Sequence, residues 1–227
     1  MMIQIPAVLP KAEVAALRAR IDAADWIDGN ATSGFQAALA KRNRQLPHEH
    51  PVALAAGETI LRALAGNQLF ASAALPRTIL SPLFNRYGAG ETFDMHVDNS
   101  VRRNPATGQP IRCDLSATLF LSEPDDYEGG ELVVEDTYGA HAVRLEAGDM
   151  ILYPSSSLHR VEPILRGERV AAFFWIQSLV REDARRALLF DMDVAIQTLA
   201  RDAGQGAPAI VSLTGAYHNL LRMWAEV

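Results

Sequence analysis

Apolar positions recur along the chain with two different periods, and the change of period divides it into three parts. Over residues 11–26, KAEVAALRARIDAADW, Val14, Leu17 and Ile21 stand three and four apart, which predicts an amphipathic helix. A second helix is predicted over about 51–65, with Ile60, Leu61 and Leu64 on its buried side. Between them, GNATSGFQAALAKRNRQLPHEHP is rich in small and polar residues and reads as a loop with little regular structure. From about residue 78 the texture changes. TILSPLFNRY, CDLSATLFLS, ELVVED, AHAVRL, DMILYP, HRVEPI and RVAAFFWIQS are short β-prone runs, separated by the turn signals GAGE, NPATGQP, EGGE, TYGA, EAGD and RGER. Beyond Ser178 the helical period returns through Leu188, Leu189, Met192, Ala195, Ile196 and Leu199, and again around Leu220, Met223 and Trp224.

Many short strands joined by tight turns predict an antiparallel sandwich, barrel or jelly roll rather than alternating βαβ units. The expected chain is therefore α+β: an N-terminal helical segment over 1–77 packed on the core, a β core over 78–178 and a C-terminal helical extension over 179–227. The last two helices either cover the β core or meet a second copy of the chain in a homo-oligomer, and the sequence leaves both open.

Composition narrows the classes of partner. A chain of 227 residues can bury one sizeable core. Its net charge of −6 gives no electrostatic reason to expect nucleic acid or an anionic membrane. No apolar run approaches the roughly 20 residues that span a bilayer, and the start, MMIQIPAVLPKAEV, lacks the pattern of a signal peptide. Cys113 is the single cysteine, so no intrachain disulfide can form. A soluble, cytoplasmic protein is expected.

The candidate chemistry begins at ETFDMHVDNS, residues 91–100. On a strand, His96 and Asp98 would point to one face, and an imidazole and a carboxylate directed inward need a partner such as a metal ion. His159 lies 61 positions after Asp98, at the start of another β-prone run. Two imidazoles and one carboxylate on one flank of a metal leave the opposite positions open, the 2-His-1-carboxylate arrangement of non-haem Fe(II) oxygenases. Alone, H-x-D is more often a surface pair. Arg169 strengthens the case: HRVEPILRGER reads as strand, turn and strand, a hairpin that would return Arg169 to the metal wall. Its planar fork asks for a carboxylate, either that of a bound dicarboxylate or a neighbouring Glu162 or Glu168.

NRYGAGETFDMHVD, followed by GDMILYPSSSLHRVEPILRGERVAAFFW, resembles the Fe(II)- and 2-oxoglutarate-dependent dioxygenases of the prolyl and lysyl hydroxylase superfamily. With the YEGGEL hairpin and the tail GAYHNLLRMWAEV, the chain resembles the bacterial PKHD-type hydroxylases over nearly its full length. The resemblance implies a double-stranded β-helix, or jelly roll, with His96, Asp98 and His159 as iron ligands and Arg169 holding the distal carboxylate of 2-oxoglutarate. It implies Fe(II), 2-oxoglutarate and O₂, with ascorbate as an accessory reductant, and hydroxylation of an unactivated C–H bond with release of succinate and CO₂. Tyr87 matches a tyrosine that hydrogen-bonds 2-oxoglutarate in related hydroxylases; otherwise it is a rim residue with its hydroxyl in water. Trp175 shares strand parity with Arg169 and would either wall the pocket or sit in the core. Where relatives carry a second pocket tyrosine on ATLFLS, this chain has Phe120.

The substrate is open between a prolyl- or lysyl-like peptidyl side chain and a siderophore-like small molecule. The basic loop VRRNPATGQPIR, 101–112, either overhangs the pocket mouth or is plain surface. PHEHP offers His48 and His50 at H-x-H spacing as a weaker metal candidate. His141 and His218 read as surface and structural residues, and EPDDYEGGE as a solvated hairpin turn. Two rival functions stand beside the oxygenase: a non-catalytic, cupin-like module that binds metal and a small acid, and a zinc metallohydrolase using the same ligands.

Overall fold

The computed structural model describes residues 1–32 and 41–227. The N-terminal part supplies helices α1 (Lys11–Asp22), α2 (Pro51–Ala65) and α3 (Gln68–Ala74) and the short strands β1 (Ile3–Ile5), β2 (Ile27–Asp28), β3 (Lys41–Arg42) and β4 (Arg44–Gln45). Helix α1 buries Val14, Leu17 and Ile21, as its period predicts. Helix α2 begins where Pro51 can give up an N–H without loss, and the His50 side chain accepts the Val52 amide at 3.2 Å. It buries Ile60 and Leu64, with Leu61 half-buried. Helix α3 was not anticipated; at seven residues it is too short to show a period, and its start is set by Asn67 accepting the Phe70 amide. The segment expected to be a loop contributes β3 and β4, two-residue strands that pair onto the β core, and β2, just before it, pairs with β4. Its residues 33–40 lie outside those described.

The β core follows as β5 (Pro76–Ile79), β6 (Leu83–Tyr87), β7 (Thr92–His96), β8 (Val101–Arg103), β9 (Pro110–Arg112), β10 (Leu115–Phe120), β11 (Tyr127–Gly129), β12 (Leu132–Asp136), β13 (Gly139–Val143), β14 (Met150–Pro154), β15 (His159–Val161), β16 (Ile164–Gly167) and β17 (Arg169–Ser178). All pairings are antiparallel. The larger sheet runs β1-β14-β10-β17-β6-β4-β2, with β5 beside β17; the smaller runs β13-β12-β15-β7-β3.

Strand alternation gives the larger sheet two different faces. Val170, Ala172, Phe174 and Ile176 of β17, with Leu115, Ala117 and Leu119 of β10, pack against Leu17, Ile60, Leu64 and Phe70 of the helices. A large aromatic in such a layer is worth about 3–5 kcal/mol against alanine, so this face fixes the sheet rigidly. The opposite face carries Tyr87, Phe120, Ile151 and Tyr153 and meets Leu132, Val134 and Val161 of the smaller sheet. The functional cavity lies between these two inner faces.

Two sequence expectations about connectivity are corrected. β15 and the Arg169 strand do not form a hairpin: β15 pairs with β12 and β7 in the smaller sheet, whereas β17 pairs with β10, β6 and β5 in the larger. Nor is YEGGEL a hairpin, because β11 pairs with β16 and β12 with β13 and β15. In both cases the chain enters or leaves a separate two-stranded sheet, β11-β16, where a turn signal suggested a return. The crossing at Gly167 needs glycine: φ is +81°, and a Cβ would fall 2.0 Å from the Asp126 carbonyl oxygen.

Helices α4 (Asp183–Ala203) and α5 (Pro208–Trp224) form the C-terminal pair. Leu189 joins Leu75 and Val180, with Tyr217, Leu220, Leu221 and Trp224 packed beside them. The apolar stripe of α4 is wider than its buried side, since Leu188 and Leu199 stay exposed. No helix among the described residues is long and apolar enough to cross a membrane.

Candidate metal centre

His96 ends β7 and His159 begins β15, and the two are register partners in the smaller sheet. Asp98 is not on the strand, as the shared-face reading supposed; β7 stops at His96, and Asp98 reaches the same place from the segment that follows. The ligand atoms of His96, Asp98 and His159 all lie within 4.8 Å of one another, and no other group of three metal-ligating side chains converges among the described residues. The two imidazole rings are 4.2 Å apart.

Each donor is aimed by a neighbour. His96 Nδ1 stands 2.8 Å from the Asp94 carbonyl oxygen, and His159 Nδ1 stands 3.0 Å from that of Ser157. A carbonyl only accepts, so each Nδ1 carries the proton and each Nε2 keeps its lone pair for the shared centre. Ser116 donates its hydroxyl to Asp98 Oδ2 at 2.6 Å and is itself joined to Ser155 at 2.8 Å. Phe93 stacks on His96 at 3.6 Å. Burial, followed by the neighbouring His159, lowers the His96 pKa to about 4, so the imidazole is neutral and able to ligate.

Across the cavity, on the larger sheet, Arg169 is 1% exposed and its Nε and Nη1 have no hydrogen-bond partner. Neither acid proposed for it is engaged there: Glu168 pairs with Arg44 at 2.7 Å, and Glu162 with Arg160 at 2.7 Å. The guanidinium instead lies 5.1 Å from the Phe120 ring and 5.7 Å from that of Tyr87, its register partner. Gly130, at φ +68°, leaves room for the stem, since a Cβ there would touch Arg169 Cδ at 3.4 Å and collide with Ile164. A buried guanidinium without a carboxylate carries a large desolvation cost unless a ligand supplies the anion.

One cavity of about 850 Å³, open mouth included, contains the triad, Arg169, Tyr87 and Trp175. Tyr87 is buried rather than at the rim, and burial pushes its phenol up to about 12. Trp175 lines the cavity with its Nε1 unpartnered. Phe120 shares the inner face with Ser116 and Thr118 but lies beyond the cavity wall, behind Arg169. The second tyrosine comes from a different strand: Tyr153 of β14 stands beside Ser116 in register, with its ring 5.2 Å from His159. Burial raises its phenol well above the ordinary value. Sequence reading passed over Tyr153 in DMILYP, where alternation with Met150 and Leu152 could have marked it as inward-facing. Lys41 and Asn85 also line the cavity and were not anticipated.

The remaining histidines lie elsewhere. His50 caps α2, His141 is 3.1 Å from Asp136 on the β12–β13 hairpin, and His218 packs edge-on to Tyr217.

The donor set fits a divalent ion with an affinity for nitrogen and oxygen, and the unpaired Nε and Nη1 of Arg169 fit a carboxylate held opposite them. Comparison with known proteins agrees. Residues 82–177 match the model of the 2OG-Fe(II) oxygenase superfamily, and residues 183–226 match that of the PKHD-type hydroxylase C-terminal domain. A PKHD-type hydroxylase of Phenylobacterium zucineum is 67% identical over 227 residues, and one of Caulobacter vibrioides is 65% identical, each covering 100% of both chains. Among solved structures, a Pseudomonas putida prolyl-4-hydroxylase has a TM-score of 0.53 at 22% identity, covering 78% of this chain and 92% of its own. HygX from Streptomyces hygroscopicus, with nickel and 2-oxoglutarate bound, has a TM-score of 0.54 at 18% identity, covering 78% of this chain and 82% of its own. At these identities the structural likeness is one of fold. The full-length likeness to the curated relatives decides the family: the chain belongs to the PKHD-type hydroxylases, Fe(II)- and 2-oxoglutarate-dependent oxygenases.

Proposed function

We propose that His96, Asp98 and His159 hold the Fe(II) of this oxygenase and that Arg169 seats the distal carboxylate of 2-oxoglutarate. The observation that carries the reading is the buried guanidinium, its Nε and Nη1 unpartnered, facing a triad whose two imidazole Nδ1 atoms are taken up by backbone carbonyls. When bound, Fe(II) and 2-oxoglutarate supply the oxidising chemistry, in which O₂ is consumed, succinate and CO₂ are released and a substrate C–H bond is hydroxylated.

The residues of the chain position and shield. The carbonyls of Asp94 and Ser157 hold both rings in one tautomer, and Ser116 holds Asp98. Tyr87 stays protonated at neutral pH and so can donate its hydroxyl to the carboxylate beside Arg169. Phe120 and Tyr127 exclude water from the guanidinium, which strengthens its pairing with an anion. Trp175 walls the outer part. A zinc hydrolase would have no use for a second cation set opposite the metal, and a passive module has no need of open metal positions.

Two facing antiparallel sheets support the double-stranded β-helix as the fold, with residues 1–77 and 179–227 as helical additions to a core over 78–178. Exposed Leu188, Val194 and Leu199 on α4 support self-association. The lone, buried Cys113 is in keeping with a reducing cytoplasm. The substrate supplies a C–H bond on a peptide or on a small molecule; a prolyl hydroxylase and an enzyme crystallised with hygromycin B share this fold.

The test is succinate formation from 2-oxoglutarate under air, followed by NMR with and without Fe(II) and ascorbate. Fe(II)-dependent succinate is expected from the wild type, with His96→Ala and His159→Ala at the protein-free background. Succinate at the wild-type rate in both variants would remove the triad from the account.

A further inference from the structure

The ion and 2-oxoglutarate leave two cations of the cavity without a role. Lys41 of β3 stands opposite Phe93 of β7, its ammonium 5.6 Å from the ring that stacks on His96. Lys41 therefore belongs to the metal-bearing wall. Arg102 of β8 covers the other wall, its guanidinium 3.8 Å from the Trp175 ring of β17. Both line the same cavity. They face one another closely enough that Arg102, after burial, is the next cause depressing the Lys41 ammonium to about 8.

Among the described residues, neither cation is in contact with a carboxylate; Asp28 acts on Lys41 and Asp98 on Arg102 only from beyond ion-pair distance. Lys41 is 6% exposed and donates only to the Gly29 carbonyl, at 3.1 Å, and no ion pair involves it or Arg102 among the described residues. The undescribed stretch SGFQAALA carries no acid. Trp175 Nε1 adds a buried donor that has no partner. Two desolvated positive charges and an indole N–H around one space call for an oxyanion.

That anion is not the far end of 2-oxoglutarate. Trp175 lies six residues along β17 from Arg169, roughly 20 Å at strand rise, and a five-carbon diacid anchored at Arg169 does not reach it. Leu83 and Phe173 supply apolar surface beside the cations. We propose that the substrate is a carboxylate on a compact apolar body, clamped by Lys41 and Arg102 so that its C–H end faces the metal centre. This rests on the oxygenase reading above and extends it to substrate class.

The experiment is calorimetric titration of Mn(II)- and 2-oxoglutarate-loaded protein with benzoate and its neutral twin benzamide. Benzoate is expected to bind at least tenfold more tightly, with the gap closing as salt rises. Arg102→Gln and Lys41→Met should each bring the two probes within threefold, and Arg102→Lys should restore preference for the anion. A blocked tripeptide with central Glu, against its Gln twin, reads the same selectivity for a peptidyl carboxylate; preference in either pair supports the clamp and identifies its source. Equal affinities in both pairs, or selectivity that survives both neutralising variants, would overturn the proposal. Titration with 2-oxoglutarate separates the two readings. If Arg102→Gln weakens 2-oxoglutarate as much as Arg169→Ala does, the cations serve the cosubstrate and the clamp is wrong. If 2-oxoglutarate fails to bind the wild type, it is the oxygenase reading that falls.

Discussion

Arg186 and Arg169 are both 1% exposed, yet they are buried for opposite reasons. Arg186, on α4, donates to the carbonyls of Val180 and Arg181 at 2.7 Å each and to Asp183 at 3.0 Å, with only its Nε left unpaired. Its charge is consumed in tying the C-terminal helices to the end of β17. Arg169, at the start of that strand, is surrounded by aromatic rings and leaves two nitrogens unpaired. A guanidinium whose Nη atoms are paired by its own chain stabilises the fold; one with unpaired nitrogens facing a cavity is placed for a ligand. Burial alone cannot tell the two apart, and the partner inventory can.

The largest expected effect sharpens this contrast. Arg186→Ala should cost about 3 kcal/mol of stability by stranding the carbonyls of Val180 and Arg181, whereas Arg169→Ala should leave the ligand-free protein as stable or more so. Urea unfolding of the two variants reads both, and a similar loss in each would erase the distinction. Next, 2-oxoglutarate with Mn(II) at about 100 times its Kd should stabilise the wild type and Arg186→Ala by about 2.7 kcal/mol. Arg169→Ala should lose most of that gain, seen as the missing shift in thermal midpoint. Ser116→Ala tests the metal wall, where satisfaction is internal. Releasing Asp98 should weaken Mn(II) binding by about 10–100-fold, as read by calorimetry, while the fold remains intact; unchanged affinity would mean that Asp98 needs no holder.

Lys41 gives the smallest effect. Its folded-state pKa of about 8 is below the ordinary 10.5. Between those values the unfolded chain binds a proton that the folded chain does not, so this group makes stability rise with pH from about 8 to 10.5. Lys41→Met should flatten that slope in urea midpoints taken across the window. Parallel slopes would show the ammonium to be better solvated than its burial implies.

Much of the site was legible in the sequence because its signals are local. HVD and the later His159 lie in short motifs, and Arg169, Ala171, Phe173 and Trp175 follow from strand parity, which does not depend on the partner strand. What could not be read was which layer each strand joins. HRVEPILRGER has the turn residues of a hairpin, yet its two arms lie in facing sheets, and only that crossing sets Arg169 opposite His96 and His159 rather than beside them. Lys41 falls in a stretch whose strands are two residues long, too short for alternation to register. The resemblance sets Phe120 where relatives carry a pocket tyrosine; depth along the strand, which a motif match does not encode, puts it behind Arg169. The wide apolar stripe of α4 predicted a face more buried than the one it has.

The central claim is that Arg169 is an empty seat for the far carboxylate of 2-oxoglutarate, and calorimetric titration of 2-oxoglutarate into Mn(II)-loaded wild type and Arg169→Ala addresses it most directly. Removing one partner of a buried, hydrogen-bonded charge pair costs about 2–5 kcal/mol, so the variant should bind at least about 30-fold more weakly, with Mn(II) affinity unchanged. Equal 2-oxoglutarate affinity in the two proteins would contradict the account.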